Sequence, residues 1–177
     1  TLDGYSAQEL KIIFEFLNDE AHYPYLMMLA YTGCRRSELF ELTKGAVNFT
    51  DNHIQITNLK TGTSPGNQFR YIEIHPALLP ILKKACENKK ATDKIFPKRG
   101  TGNWLVKSLK KACEKLNIQY RRLHGLRHTF ISELLNQNVP LRVVMEIAGH
   151  KNFSTTLRYS HISQNELRGK IKKIDFS

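Results

Sequence analysis

Asn52-His53-Ile54-Gln55-Ile56-Thr57-Asn58 and Arg70-Tyr71-Ile72-Glu73-Ile74-His75 alternate apolar and polar side chains, which is the period of a strand with one buried face. Lys60-Thr61-Gly62-Thr63-Ser64-Pro65-Gly66-Asn67 between them is made of turn-forming residues, so the pair reads as a hairpin with an exposed loop. Outside this hairpin the apolar residues recur at helical spacing. Upstream, Ser6-Ala7-Gln8-Glu9 is a capping box leading into Leu10, Ile13, Phe14 and Leu17, and a second, mostly buried helix runs from Tyr25 to a corner at Gly33. Downstream, helices are expected at Ala77 to Cys86, Asn103 to Leu116, His124 to Asn136, Leu141 to Ala148, Ser154 to Tyr159 and Gln164 to Lys172. The fold class is therefore α+β, mainly α-helical with a small antiparallel β-sheet.

A length of 177 residues suits one hydrophobic core, and no repeat or long linker divides the chain, so residues 1–177 read as a single domain. With 27 basic against 16 acidic side chains the net charge is +11, and the pI of about 9.7 directs attention to a polyanionic partner, nucleic acid first. Cys34, Cys86 and Cys113 are odd in number and contain no C-x-x-C pair, which offers neither a disulfide framework nor a zinc cage. The longest apolar cluster, near Tyr25 to Tyr31, is too short to span a bilayer, and Thr1-Leu2-Asp3-Gly4 does not resemble a secretion signal. A cytoplasmic, DNA-associated location is the expectation. A G-x-x-x-x-G-K phosphate loop is also missing, leaving ATP hydrolysis without a home.

Three segments carry candidate chemistry. In Thr32-Gly33-Cys34-Arg35-Arg36-Ser37-Glu38-Leu39 a glycine corner places Arg35 at the start of a short helix, with Glu38 three residues on to orient it. A guanidinium forks onto two oxygens at once and suits a phosphodiester. An i,i+3 surface ion pair accounts for this segment equally well. In His124-Gly125-Leu126-Arg127-His128, His124 and Arg127 share a helix face, an imidazole for proton transfer beside a second phosphate clamp. Zinc on His124 and His128 is the weaker reading, because no H-E-x-x-H glutamate and no third ligand accompany them; His128 reads as a core histidine bonded to backbone. In Gly149-His150-Lys151-Asn152-Phe153-Ser154-Thr155-Thr156-Leu157-Arg158-Tyr159-Ser160-His161, Tyr159 is one of seven tyrosines, and only its company marks it as a nucleophile.

In this order the segments resemble the catalytic domain of the tyrosine recombinase (phage integrase) family, over about Leu2 to His161. Arg35 in Thr-Gly-x-Arg-x-Ser-Glu-Leu resembles the first catalytic arginine, His124 and Arg127 the His-x-x-Arg pair, His150 the later histidine, Tyr159 the nucleophile and Lys60 the hairpin lysine. Cys34 and Ala148 stand where larger apolar residues are frequent. The resemblance implies metal-independent and cofactor-free cleavage and rejoining of double-stranded DNA through a 3′-phosphotyrosine. Arg35, Arg127 and His150 would stabilise the phosphoryl oxygens, His124 would take the phenol proton and Lys60 would protonate the leaving oxygen. Glu38 would fix Arg35 or an imidazole. It further implies a homotetramer on paired sites and an N-terminal DNA-clamping domain that is not in this chain. A type IB topoisomerase and an inert DNA-binding module are the competing readings.

Arg36, Lys44, Lys98, Arg99, Lys107, Lys110, Lys111, Arg121, Arg122 and Lys151 are candidate phosphate contacts that only count in sum. A terminal helix is expected from Asn165 to Phe176 with Leu167, Ile171 and Ile174 on one face, packing either on a neighbouring subunit or on its own core.

Overall fold

The computed structural model describes residues 4–59, 69–149 and 169–176. The expected helix at Ser154 to Tyr159 and the loop from Lys60 to Asn67 lie outside the described residues.

Helix α1 (Ala7–Leu17) begins at the capping box, with Ser6 Oγ accepting from the Glu9 N–H and Glu9 accepting from the Ser6 N–H. Its Leu10, Ile13, Phe14 and Leu17 are buried and face α5 and α2. Helix α2 (Tyr23–Thr32) is buried from Tyr25 to Thr32 and so forms the axis of the domain. A helix apolar on all sides must be surrounded, and α1, α3 and α6 all pack against it.

Helix α3 (Arg36–Phe40) leads through a 3-10 turn at Lys44–Ala46 into β1 (Val47–Asn48), β2 (His53–Thr57) and β3 (Phe69–Glu73). The strands form one antiparallel sheet in the order β1-β2-β3, with Ile54 opposite Ile72 and Ile56 opposite Arg70. Two of these strands are the expected ones. β1 is an addition, too short for any alternation to register.

Pro76–Leu78 forms a 3-10 turn and α4 (Leu79–Cys86) follows, then α5 (Asn103–Lys115), α6 (His124–Asn136) and α7 (Leu141–Ala148). α6 lies on α2, while α7 lies on α6 and on β3. The inward side chains of sheet and helices make one continuous core.

The C-terminal residues depart from the expected helix. Gly169 has φ +86° and its N–H donates to Glu73 Oε2 at 2.9 Å; only a 3-10 turn at Ile171–Lys173 follows, with irregular chain to Phe176. A left-handed glycine breaks helical propagation. Ile171, Ile174 and Phe176 are nonetheless buried on this chain's own core, where the Phe176 ring packs 4.9 Å from Tyr31 and the Phe176 N–H donates to the Tyr31 hydroxyl. No described helix is long and apolar enough to cross a membrane.

Candidate active site

The site starts where α2 ends. Gly33 adopts φ +60°, and its N–H closes the helix on the Leu29 carbonyl. A side chain is excluded there twice over, since a Cβ would stand 2.3 Å from the Phe130 ring of α6. After the corner, Arg35 is extended (φ −75°, ψ 150°) and becomes the N-cap of α3. Cys34 beside it is buried, and burial pushes its thiol up to about 11, so it packs as a neutral group.

Glu38, whose side chain is fully buried, is the hub. Its two oxygens accept from the Arg35 N–H at 2.8 Å, Arg35 Nη1 at 2.9 Å, Arg70 Nη2 at 2.7 Å and Arg70 Nη1 at 3.3 Å. Burial alone would raise the carboxyl, but the bonds and charge of Arg70, then the bonds from Arg35, more than offset it and hold the group below the usual carboxylate range. Four donors on two oxygens leave it little capacity to take a proton; it positions.

Arg127, the fourth residue of α6, is buried. Nη1 donates to the Gly33 carbonyl at 2.6 Å and Nη2 to the Ala148 carbonyl. Arg35 Nη2 donates to the next carbonyl, Gly149, at 3.1 Å. These oxygens belong to the C-terminal ends of α2 and α7, where unpaired carbonyls and the helix dipole favour positive charge. Burial, then the positive neighbours Arg35 and Arg70, push the Arg127 guanidinium down to about 10, which leaves it charged at neutral pH. Its Nε is buried and finds no hydrogen-bond partner among the described residues.

The two guanidinium groups open onto a cleft of about 700 Å³ lined by Arg35, Arg36, Lys110, Arg122, His124 and Arg127, with Leu29, Val106 and Leu123 among its apolar lining. No carboxylate lines it among the described residues. Although Arg35 pairs with Glu38 and Lys110 with Glu114, the lining of the cleft is itself basic, so an anion entering this space is stabilised. His124 is exposed at the start of α6 with its ring 4.9 Å from that of His128, edge to face. His128 is half-buried rather than a core residue, because it lies one position beyond the inward face that Arg127 occupies. No cluster of three or more His, Cys, Asp or Glu groups suited to a metal occurs among the described residues.

Arg35, Glu38, His124 and Arg127 are thus brought together, whereas Lys60, His150 and Tyr159 lie outside the described residues. Among the basic candidates Arg36, Lys110 and Arg122 line the cleft. Arg121 instead pairs with Glu9 at 2.9 Å, and Lys44 donates to the Lys89 carbonyl. Arg70 is the residue the sequence reading passed over. Its signal was present, since in an alternating strand it shares the face of Ile72 and Ile74, and an arginine on an inward face must have a partner.

The family model described as the phage integrase family matches residues 5–166. Tyrosine recombinase XerA of Saccharolobus solfataricus is 29% identical over 148 residues, covering 84% of this chain and 48% of that protein. The integrase from mycobacterium phage Brujita superposes with a TM-score of 0.73 at 18% identity, covering 97% of this chain and 57% of that one. XerH site-specific recombinase bound to difH substrate superposes with a TM-score of 0.65 at 18% identity, covering 94% of this chain and 52% of that one. The structural likenesses bear on the fold, and the chain spans about half the length of the curated relatives it matches.

Proposed function

Because the chain belongs to the phage integrase family, with the mainly helical fold and small antiparallel sheet of the tyrosine recombinase catalytic domain, we propose that it is a tyrosine recombinase acting in site-specific recombination or integration of double-stranded DNA. One observation carries this reading. Arg35 and Arg127, from separate parts of the sequence, meet at one cationic cleft with His124 among its lining residues.

The Tyr159 phenol, with an ordinary pKa near 10, needs help at neutral pH. His124 takes its proton as the phenolic oxygen attacks phosphorus, and the 5′ oxygen of the next nucleotide leaves with a proton from Lys60. Charge growing on the non-bridging oxygens is met by Arg35 and Arg127, with His150 adding a hydrogen bond; each such donor is worth about 10²- to 10³-fold in rate. The products are a 3′-phosphotyrosine and a free 5′-hydroxyl. One ester replaces another, so the hydroxyl of a different strand reverses the step without ATP. Glu38 carries no proton and keeps Arg35 in register. Residues 1–177 act as one catalytic unit, and four copies on paired sites complete the exchange.

The test is incubation with a nicked suicide DNA in EDTA. A covalent protein-DNA band that disappears in Tyr159→Phe supports the enzyme. DNA binding by the wild type without any such band would leave an inert DNA-binding module.

A further inference from the structure

We propose that Arg70 is a positioning residue for the cleavage reaction, a side chain through which the Arg35 end of the site, the root of the hairpin loop and the end of α7 are held in common register. This inference rests on the recombinase reading above and names a residue which that reading does not use.

Arg70 is buried on β3 opposite Ile56, and its guanidinium reaches three places at once. Toward α3 it forks onto both Glu38 oxygens, 2.7 Å from Nη2 and 3.3 Å from Nη1, and Glu38 in turn holds the main chain and side chain of Arg35. Toward the hairpin, Nη1 donates to the side-chain oxygen of Asn58, which follows the end of β2 and precedes Lys60 by two residues. Toward α7 it crowds Gly149, the residue before His150. A Cβ at Gly149 would lie 2.9 Å from Arg70 Nη1 and 3.0 Å from Asn58 Oδ1, and φ there is +67°. Gly149 is thus glycine at a point where the Arg70 head and Asn58 press against the chain, while its carbonyl accepts from Arg35.

The chemistry requires such a joint. Arg35 must offer donors to a phosphate while the groups that move protons arrive from other parts of the chain, and misplacement of about 1 Å can cost roughly 10²-fold in rate. A planar fork with fixed donor directions makes three contacts from one rigid group, which an ammonium on a flexible stem does not. An arginine serving only the core would be replaced more favourably by an apolar side chain, since a buried ion pair adds little net stability.

Arg70→Gln and Arg70→Lys test the assignment in two arms. In hydrogen exchange, both variants are expected to lose protection at the Arg35 amide, which donates to Glu38, and at the peptides containing Asn58 and Gly149, by about tenfold in Arg70→Gln and less in Arg70→Lys, with α1 unchanged. In single-turnover cleavage at saturating DNA, the rate falls by about 10- to 100-fold while DNA affinity stays within about threefold. Arg70→Lys keeps a charge opposite Glu38 and stands in if Arg70→Gln is not recovered folded. Exchange that is unchanged at these three places, or that rises uniformly through α1, overturns the assignment, as does a wild-type cleavage rate in both variants. A wild-type protein that forms no covalent adduct refutes the recombinase reading instead, and the exchange arm then decides by itself whether Arg70 holds the three segments together.

Discussion

Arg127 Nη1 donates to the Gly33 carbonyl at 2.6 Å, so the corner that launches the first candidate phosphate-binding arginine also seats the second. This coupling ties both arginines to the conformation of Gly33. Gly33→Ala forces a left-handed residue to carry a Cβ, at about 1–2 kcal/mol. It also drives that Cβ into Phe130, and overpacking of this kind adds about 1–3 kcal/mol. Urea unfolding should show a loss of about 2–5 kcal/mol, and cleavage by the protein still folded should drop because both arginines move. A midpoint shifted by less than about 0.5 kcal/mol would contradict the close approach.

Replacing Arg127 by lysine separates charge from geometry. Arg127 holds two carbonyls with Nη1 and Nη2 and has Nε to spare; a lysine brings one nitrogen to all three tasks. Single-turnover cleavage by Arg127→Lys is expected to be about 10²- to 10³-fold slower than wild type, with DNA affinity reduced far less. Full activity in this variant would mean that a point charge suffices.

Glu38 gives the protein a defined acid response. Its folded carboxyl is held below its ordinary value of 4.5 by Arg70 and Arg35 against the opposing effect of burial. Because the folded value is the depressed one, the stabilisation is present above the unfolded pKa and is lost as pH falls through the folded pKa. Glu9, where burial raises the carboxyl but the Ser6 N–H and Arg121 more than offset it and lower it, contributes in the same window. Urea midpoints measured between about pH 6 and about pH 3 should therefore decline below about pH 4.5 in the wild type and decline less in Glu38→Gln. That variant should also be about 3–5 kcal/mol less stable near neutrality, since it strands the buried Arg70 guanidinium. Parallel pH curves for the two proteins would show that Glu38 does not titrate as argued.

Local signals explain what the sequence made legible. α6 and α7 span the residues that periodicity gives them, and two boundaries are marked locally: the start of α1 by a capping box at Ser6, and the end of α7 by a left-handed glycine at 149. Arg35 with Glu38, and His124 with Arg127, stood out because each pair is spaced within one helix turn, a local property. Arg70 did not, since its meaning lies in a register that pairs it with Ile56 and in a turn of chain that brings Glu38 over the sheet. β1 escaped for want of length, and the helix expected to continue to Phe176 fails at Gly169, where tertiary packing of Ile171, Ile174 and Phe176 replaces helical hydrogen bonding.

Arg122 allows backbone and charge to be tested apart. It is exposed, lines the cleft and has φ +59°, a conformation that costs an ordinary residue about 1 kcal/mol or more and glycine almost nothing. Arg122→Gly relieves that strain while adding roughly 0.5–1 kcal/mol of chain entropy to be lost on folding, so stability should stay within about 1 kcal/mol of the wild type in thermal melts. DNA binding should respond differently, because a side chain that neutralises one phosphate releases about one counterion. The slope of log affinity against log salt should shrink by about 1. An unchanged slope would place Arg122 off the DNA path and confine the anion site to Arg35, Arg127 and their immediate neighbours, whereas a reduced slope with intact stability extends the DNA track along the turn that precedes His124.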